Sequence, residues 1–437
     1  MSIENKLQSL LNGESARELF ARLYGSDTAV IEGQIGRYLG LVKDYMLMFP
    51  ETRGDIHLFS TSGRTEIGGN HTDHNNGRVL AAAVNLDSVA VAERNDTDTI
   101  ILYSRGFSGV FRVELDNLEP KEEEQETTTA LIRGIASRFR QLGYKTGGFN
   151  AYLASDVLKG SGLSSSASIE VLVGTIMSAL YNEGRVDPKK LAKIGQYAEN
   201  VYFNKPCGLM DQMACAVGGF VAIDFKDPEN PVVSKIEFDL ARAGYSLLVV
   251  DTGGNHADLT RDYADVPREM KSVAAVFGKS VLRDLSVDDV LADVPSLRQK
   301  VGDRAILRAL HFFSDNERAA SQAAALEKGD FNTFLELVNE SGSSSWRLLQ
   351  NVYTNQNPAE QGVTLALAIT ERFIRQKGAG ACRVHGGGFA GTIQAYIRLE
   401  DVDEYISIMN RIFGDRSITV LGIRPYGTLH LNPLLGE

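Results

Sequence analysis

The sequence contains few cysteines, no long hydrophobic run and no excess of positive charge. Its three cysteines (Cys207, Cys215 and Cys382) form no close pair of the metal-binding or redox type, which favours a reducing compartment over a disulfide scaffold. No apolar run approaches the ~20 residues that a membrane-spanning helix needs, and the chain opens with a polar segment. We therefore expect a cytoplasmic protein with no membrane partner.

The charge balance and two missing motifs narrow the function further. A formal net charge of −11 argues against nucleic acid as the main partner, although it permits a local cationic pocket. The 437 residues leave room for two or three domains. Neither the lysine-containing P-loop motif nor the protein-kinase set of motifs is present. Any nucleotide chemistry therefore needs a different nucleotide-binding fold.

The segment Lys159–Glu170, KGSGLSSSASIE, is the strongest local signal. A strand pattern, FNAYLAS, precedes it, and apolar residues at helical spacing follow until about Gly184. Glycines let backbone amides approach a ligand, and a helix N-terminus adds unpaired N–H groups with a partial positive charge. The pattern predicts a phosphate-binding turn at the start of a helix. A serine-capped helix with no ligand is the structural alternative.

Other polar residues fit the needs of phosphoryl transfer. That reaction requires amides around the phosphates, hard oxygen ligands for magnesium, a positive charge, and a carboxylate that orients or deprotonates the acceptor. Ser166 and Glu199 can supply the oxygen ligands. Arg64 can supply the positive charge and Asp211 the acceptor carboxylate. Structural alternatives are a helix cap for Asp211, a solvated helix position for Glu199, and a hairpin for a glycine run near the end of the chain, HGGGFAG.

Three motifs in order resemble those of one family of small-molecule kinases. GRTEIGGNHTDHNNG, at Gly63–Gly77, resembles the sugar-recognition signature of galactokinases. KGSGLSSSASIE and HGGGFAG resemble the phosphate loop and the third motif of the galactose, homoserine, mevalonate and phosphomevalonate (GHMP) kinases. The resemblance covers nearly the whole chain from about Ser60. It implies an α+β, two-domain GHMP kinase fold with its active site in the cleft between the domains.

The expected domain division follows from a polar stretch with two prolines between about Lys226 and Pro231. We place the N-terminal GHMP kinase domain at residues 1–225 and the C-terminal one at residues 226–437. In the first domain, VLAAAVNLDSVAVAERN and TIILYS are predicted to form paired strands. The resemblance implies ATP and a small-molecule sugar as substrates and Mg²⁺ as the metal, and we expect a monomer.

The resemblance assigns roles to individual residues. Asp211 matches the catalytic aspartate, and Arg64 matches the arginine that polarises the acceptor and steadies that carboxylate. The positions that match sugar contacts are Asn70, His71, Asp73, Gly208 and Tyr263. The positions that match the ATP pocket are Gly160, Ser161, Gly162, Leu163, Ser164, Ser165, Gly387 and Gly388, and the metal ligands match Ser166 and Glu199. The structural alternative for His71 is a satisfied polar core group. The alternative for Tyr263 is a core residue, because a buried tyrosine is more often core than ligand.

The chain departs from the galactokinase pattern at four positions. Galactokinases carry a glutamate, used on the sugar's 6-hydroxyl, where this chain has Asn70. They carry tyrosine, threonine and proline at the positions of His74, His385 and Leu158. An amide can donate a hydrogen bond to an anionic 6-substituent that a carboxylate would repel. Two acceptors are therefore open, namely galactose, and galacturonate or another 6-modified relative.

Two further functions are open beside the sugar kinase. Some galactokinase relatives bind sugar and ATP and regulate transcription without catalysis, but one known kind lacks residues of the GLSSSA loop, which is complete here. Mevalonate and homoserine kinases share the superfamily, but the HTDH and MDQ segments look specific to its sugar branch. The complete catalytic and metal set favours an ATP-dependent sugar 1-kinase that phosphorylates the anomeric hydroxyl.

Overall fold

The described residues form two β-sheets with helices packed on their faces. The computed structural model describes residues 3–52, 55–157, 162–205, 207–254 and 259–436. Within these ranges the α-helices are α1 (Ile3–Asn12), α2 (Glu14–Tyr24), α3 (Thr28–Met48), α4 (Thr128–Gln141), α5 (Ser165–Asn182), α6 (Pro188–Val201), α7 (Met210–Val217), α8 (Thr260–Val276), α9 (Val287–Ala292), α10 (Val294–Lys300), α11 (Asp303–Glu327), α12 (Phe331–Ser344), α13 (Gly362–Lys377), α14 (Val402–Phe413) and α15 (Asn432–Leu435). The strands are β1 (His57–Gly68), β2 (Arg78–Arg94), β3 (Thr99–Ser104), β4 (Val110–Glu114), β5 (Phe149–Ser155), β6 (Phe220–Asp224), β7 (Val232–Ile236), β8 (Tyr245–Asp251), β9 (Ala381–Val384), β10 (Thr392–Arg398), β11 (Ile418–Leu421) and β12 (Thr428–His430). None of the helices in these ranges is both long enough and apolar enough to cross a membrane.

The long strand β2 is the centre of the first sheet. Its first half pairs with β6 and its second half with β5, while β1 pairs along its other edge. Among the described residues the strand order is β12-β1-β2-β5-β3-β4, with β6 and then β7 continuing from β2. The predicted pairing of β2 with β3 is wrong, because β5 lies between these two strands and pairs with both.

Helices cover both faces of this sheet because successive residues of β2 point to opposite sides. Ala90 and Ala92 share a buried cluster with residues of α4, α5 and α6. Val89 and Val91 share another with residues of α2 and α3. The predicted helix after the serine run is confirmed as α5, which ends where Glu183 adopts a left-handed conformation. This packing fixes the start of α5 beside β1.

The second sheet carries the third motif. Its order is β11-β8-β10-β9 among the described residues, and every pair is antiparallel. The glycine-rich residues 386–391 connect β9 to β10, so the hairpin alternative for this run is correct as a description of topology. One face of the sheet packs against α13 and α14, and the other shares a cluster with strands of the first sheet.

Strand pairing crosses the domain division predicted at residues 225 and 226. β7 lies beyond that division and pairs with β6. β12, close to the C-terminus, pairs with β1. The first sheet therefore takes strands from both halves of the chain, and a division at this particular residue stays a prediction.

Candidate active site

Arg64 and Asp211 form the central ion pair of the site. Arg64 lies on β1 between two irregularities in the pairing with β2, and Asp211 lies in the first turn of α7. Arg64 Nε donates to Asp211 Oδ1 at 2.7 Å, and Nη2 donates to Oδ2 at 2.5 Å. Such a two-pronged contact is the strong form of an arginine–carboxylate bond, and it fixes the orientation of the carboxylate.

The residues just before α5 attach this pair to the phosphate-binding turn. The backbone N–H of Arg64 donates to the carbonyl of Leu163 at 3.1 Å, and Nη1 donates to the carbonyl of Gly162. Ser164 donates its hydroxyl to Asp211 Oδ2. Ser164 has φ 56°, a left-handed conformation that residues other than glycine rarely adopt. The ion pair and the described part of the turn are thus one connected group.

The carboxylate of Asp211 is ionised and partly accessible. Burial raises its pKa, but the charge of Arg64 and the hydrogen bond from Ser164 outweigh burial, and the pKa lies below its usual value of 3.8. The Asp211 side chain is 31% exposed, whereas that of Arg64 is 9% exposed. An ionised carboxylate with accessible surface can accept a hydrogen bond from a substrate hydroxyl.

The phosphate-binding turn is described from Gly162 onward. Two of its predicted residues lie outside the described ranges, namely Gly160 and Ser161. A Cβ on Gly162 would lie 3.0 Å from the His385 ring, so glycine allows the second sheet to approach the turn. Leu163 is fully buried, which leaves its backbone as its only group for a ligand. Ser165 begins α5, whose N-terminal amides are the predicted phosphate donors.

The predicted metal ligands come from neighbouring helices. Ser166 lies in the first turn of α5, and Glu199 lies on α6 with 3% of its surface exposed. Glu199 Oε1 accepts from Lys205 Nζ at 3.2 Å, and Oε2 accepts from Gln212 Nε2 at 2.8 Å. A solvated helix position for Glu199 is therefore excluded.

A second buried carboxylate, Glu170, lies beside Glu199 and was missed by the sequence analysis. Gln212 Nε2 also donates to Glu170 Oε2 at 3.0 Å, while Glu170 Oε1 is buried without a partner. Burial, followed by the charge of Glu199, raises the pKa of Glu170. The available signal was an acidic residue inside the apolar helical run SIEVLVG.

The chemistry of these donors fits magnesium bound together with a nucleotide. Mg²⁺ prefers hard oxygen ligands and is commonly held by one or two carboxylates plus phosphate oxygens. Ser166 and Glu199 supply a hydroxyl and a carboxylate of that kind. Among the described residues no group of three or more histidine, cysteine or acidic side chains could hold a metal alone.

Asn70 is fully buried, and protein groups engage its whole amide. Nδ2 donates to Glu66 Oε1 at 2.9 Å and to the carbonyl of Gly386 at 2.8 Å. Oδ1 accepts from Asn351 Nδ2 at 2.8 Å and from Ser345 Oγ at 3.3 Å. Both Nδ2 hydrogens therefore have acceptors within the protein. The predicted contact of Asn70 with the sugar's 6-position has no support from this geometry.

His71 is a neutral imidazole held against the third motif. Its Nε2 lies 3.0 Å from the carbonyl of Gly387, which can only accept a hydrogen bond. Burial, and then the nearby His74, lower the pKa of His71 to about 4. Its ring is therefore uncharged near neutral pH and carries its hydrogen on Nε2.

Asp73 and Gly208, which are both predicted to contact the sugar, lie beside each other. A Cβ on Gly208 would lie 2.3 Å from Asp73 Oδ2, so a larger residue here would displace the Asp73 carboxylate. Asp73 Oδ1 accepts from the backbone N–H of His74 at 3.0 Å. The loop before α7 is thereby placed next to residues 63–77, which carry the predicted sugar-recognition signature, and Asp211 follows in the first turn of α7.

Tyr263 packs on the glycine-rich connection between β9 and β10. Its hydroxyl donates to the carbonyl of Gly388 at 2.9 Å. A Cβ on Gly387 would lie 2.6 Å from the Tyr263 ring, and one on Gly388 would lie 2.0 Å from the carbonyl oxygen of Asn351. The close contacts explain the glycines by packing, so their predicted role in the ATP pocket and that of Tyr263 in sugar binding stay predictions.

The two histidines that depart from the galactokinase pattern have different surroundings. His385 is buried, with Nε2 2.9 Å from Thr65 Oγ1 and Nδ1 3.0 Å from Thr392 Oγ1, and so it joins β1 to the second sheet. The His74 side chain is 37% exposed. His385 therefore has a structural role in this arrangement, whereas His74 is accessible.

Comparisons with known proteins first define the class. A family model described as the GHMP kinases N terminal domain matches residues 130–219. The crystal structure of mevalonate kinase from Methanococcus jannaschii superimposes with a TM-score of 0.60 at 16% identity, over 85% of this chain and 99% of that one. Identity this low shows the fold alone. That fold is the one predicted, the α+β fold of GHMP kinases.

A second set of matches is more specific. A model described as the galactokinase galactose-binding signature matches residues 47–94. Galactokinase from Streptomyces coelicolor is 32% identical over 351 residues, which cover 79% of this chain and 86% of that protein. The crystal structure of Lactococcus lactis galactokinase complexed with galactose has a TM-score of 0.76 at 25% identity, over 90% of this chain and 99% of that one. The chain belongs to the galactokinase family, which confirms the resemblance of its motifs.

Proposed function

We propose that this protein transfers the terminal phosphoryl group of ATP to the anomeric hydroxyl of galactose. The observation that carries the proposal is the Arg64–Asp211 pair, whose accessible carboxylate lies next to the N-terminal turn of α5. A helix N-terminus suits a phosphate, and an ionised carboxylate suits the hydroxyl that attacks it. The site thus offers one place for each substrate of a sugar kinase.

Asp211 acts mainly by orienting the acceptor hydroxyl. Its lowered pKa makes it a weak base but keeps it ionised at neutral pH. Phosphoryl transfer passes through a loose transition state, in which positioning contributes more than early proton removal. Arg64 gives three of its five N–H groups to Asp211 and Gly162, and so it holds the carboxylate in place.

Ser166 and Glu199 would hold Mg²⁺, which neutralises phosphate charge when it is bound. In the arrangement described here, the Lys205 ammonium partly neutralises the Glu199 carboxylate at 3.2 Å. We assign contacts with the sugar to His71, Asp73 and Gly208. Location in the cytoplasm and a monomeric state stay predictions from the sequence.

A substrate panel tests the proposal. ADP release is measured with ATP, Mg²⁺ and each of galactose, galacturonate, N-acetylgalactosamine and glucose. We expect galactose to give the highest kcat/KM, because no free amide hydrogen of Asn70 is available to favour a uronate. A preference for galacturonate would overturn the choice of sugar. Binding of galactose without any ADP release would instead indicate a sensor.

A further inference from the structure

Two side chains of α11 bind the backbone of Asn70, one at its N–H and the other at its carbonyl oxygen. The Asn70 N–H donates to Asp315 Oδ2 at 2.8 Å. His311 Nε2 lies 3.0 Å from the Asn70 carbonyl oxygen. His311 and Asp315 are four residues apart, so they project from the same face of the helix. Together they fix the peptide groups on both sides of the Asn70 Cα.

Further hydrogen bonds hold the side chains of His311 and Asp315 in place. Neither has any exposed surface. His311 Nε2 faces a carbonyl and must therefore carry the hydrogen, which leaves Nδ1 to accept from Ser344 Oγ at 2.8 Å. Arg318 Nη1 donates to Asp315 Oδ1 at 2.6 Å. These hydrogen bonds fix the orientation of both side chains.

His71, the residue after Asn70, has an unfavourable backbone conformation. His71 has φ 59°, which is uncommon for a residue other than glycine. Such conformations persist where the surrounding structure over-determines them, and they are frequent at ligand sites. On the far side, the Thr72 N–H donates to the carbonyl of Gly69 at 3.1 Å. The peptide groups around His71 are thus fixed from both directions.

We propose that His311 and Asp315 are positioning residues that hold the peptide groups around Asn70 and thereby aim the His71 imidazole at the sugar. The inference rests on the proposed function, in which His71 contacts galactose. It also gives the second half of the chain a role in sugar recognition. Neither residue belongs to the catalytic or metal set.

A matched pair of substitutions tests this role. His311→Gln can place an amide N–H near the position of Nε2, whereas His311→Asn reaches only the Nδ1 side, toward Ser344. Both replace a buried imidazole with an amide, so general damage to the fold is similar. Thr370→Val is the control, because it removes a buried hydrogen bond to Tyr405 at 2.7 Å in the same half of the chain.

Galactose and ATP binding are measured separately by calorimetry, together with the KM for each and the melting temperature. We expect His311→Asn to weaken galactose binding by about tenfold or more, since it leaves a buried carbonyl without its donor. ATP binding should stay within about twofold in every variant. His311→Gln should recover most of the galactose affinity, and Thr370→Val should leave both affinities unchanged.

Two results would overturn the inference. One is equal galactose affinity in His311→Asn, His311→Gln and wild type. The other is an equal loss of galactose and ATP binding in both histidine variants. Asp315→Ala against Asp315→Asn repeats the comparison if a histidine variant does not fold, because the asparagine can still accept from the Asn70 N–H. Wild-type protein that binds no galactose would contradict the proposed function instead.

Discussion

Two arginine–aspartate pairs in this molecule share their chemistry and differ in their surroundings. Asp87, on β2, is bound by Arg424 at 2.9 Å and by Arg37 at 2.6 Å, and neither Asp87 nor Arg424 has an exposed side chain. The Arg64–Asp211 pair is as short, but it leaves 31% of the Asp211 side chain exposed. In both aspartates, burial raises the pKa and the arginine charges lower it. The arginine charges and the hydrogen bonds outweigh burial, so the net shift of the pKa is downward.

The two pairs differ in accessibility rather than in the ion pair itself, and the catalytic role proposed for Asp211 requires an accessible carboxylate. Asp87 Oδ2 also accepts from Tyr24 at 2.6 Å and from Ser60, so protein donors surround it. It ties α2, α3 and the C-terminal segment to the first sheet. Asp211 is held just as firmly on one side and keeps a surface for a substrate.

The largest expected effect is on turnover in Asp211→Asn. The amide keeps the shape of the side chain and loses the charge that orients the hydroxyl, so kcat should fall by about 10²- to 10⁴-fold. The melting temperature should fall less than in Asp87→Asn, because the Asp211 side chain is partly exposed. Steady-state ADP release and thermal unfolding measure the two quantities. Turnover within a few-fold of wild type would reassign Asp211 to a structural role.

The reverse pattern is expected for Asp87→Asn. Removing the Asp87 charge leaves the buried Arg424 without its charge partner and Arg37 with Asp156 alone. Breaking a buried ion pair in this way typically costs about 3–5 kcal/mol of folding free energy. Denaturant unfolding measures that loss. The folded fraction should keep a kcat near that of wild type. Unchanged stability would show that the Asp87 cluster does not hold the N-terminal helices in place.

Asn70→Glu extends the comparison to a buried carboxylate without an arginine partner of its own. The new charge would lie beside Glu66, and burial already raises the pKa of Glu66. The arginine partner of Glu66, Arg383, also donates to the carbonyl of Ile67. We expect the glutamate variant to be less stable than Asn70→Gln, which has the same size and no charge, by ~1–3 kcal/mol. Equal stability of the two variants, with a changed ratio of galactose to galacturonate activity, would restore the sugar contact predicted from the sequence.

Acid should weaken both aspartate pairs. Their folded-state pKa values lie below 3.8, so each pair stabilises the fold above that pH and loses its contribution as the pH falls through the folded value. Unfolding free energy measured from pH 6 downward should therefore drop below about pH 4. Asp87→Asn should show a smaller drop than wild type. An identical acid profile in both proteins would count against the assignment.

The smallest expected effects concern the metal. Glu199→Gln and Ser166→Ala should each raise the Mg²⁺ concentration needed for half-maximal rate by several-fold, since each removes a hard oxygen or its charge. Glu170→Gln is the matched control, because Glu170 shares Gln212 with Glu199 but is not assigned as a ligand. If all three variants keep the wild-type Mg²⁺ dependence, Ser166 and Glu199 are not the ligands.

The sequence predicts local features well and long-range contacts poorly. The start and end of α5 follow from glycines, serines and apolar spacing within one segment, and the motif residues Arg64 and Asp211 meet as expected. The partners of Asp87 come from three distant segments, so no spacing rule connects them, although an acid in the strand AVNLDSVAV is itself a signal of a buried charge. Packing likewise places β5 between β2 and β3. It also brings the α11 side chains His311 and Asp315 to the backbone of Asn70.

The most direct test of the account is the position of the transferred phosphate. Wild-type protein is incubated with ATP, Mg²⁺ and galactose labelled with carbon-13 at the anomeric carbon, and the product is examined by NMR. We expect phosphorus coupling to the labelled carbon with wild type and almost none with Asp211→Asn over the same time. Phosphate on another carbon, or equal product from both proteins, would contradict the claim that the accessible Arg64–Asp211 pair directs the anomeric hydroxyl.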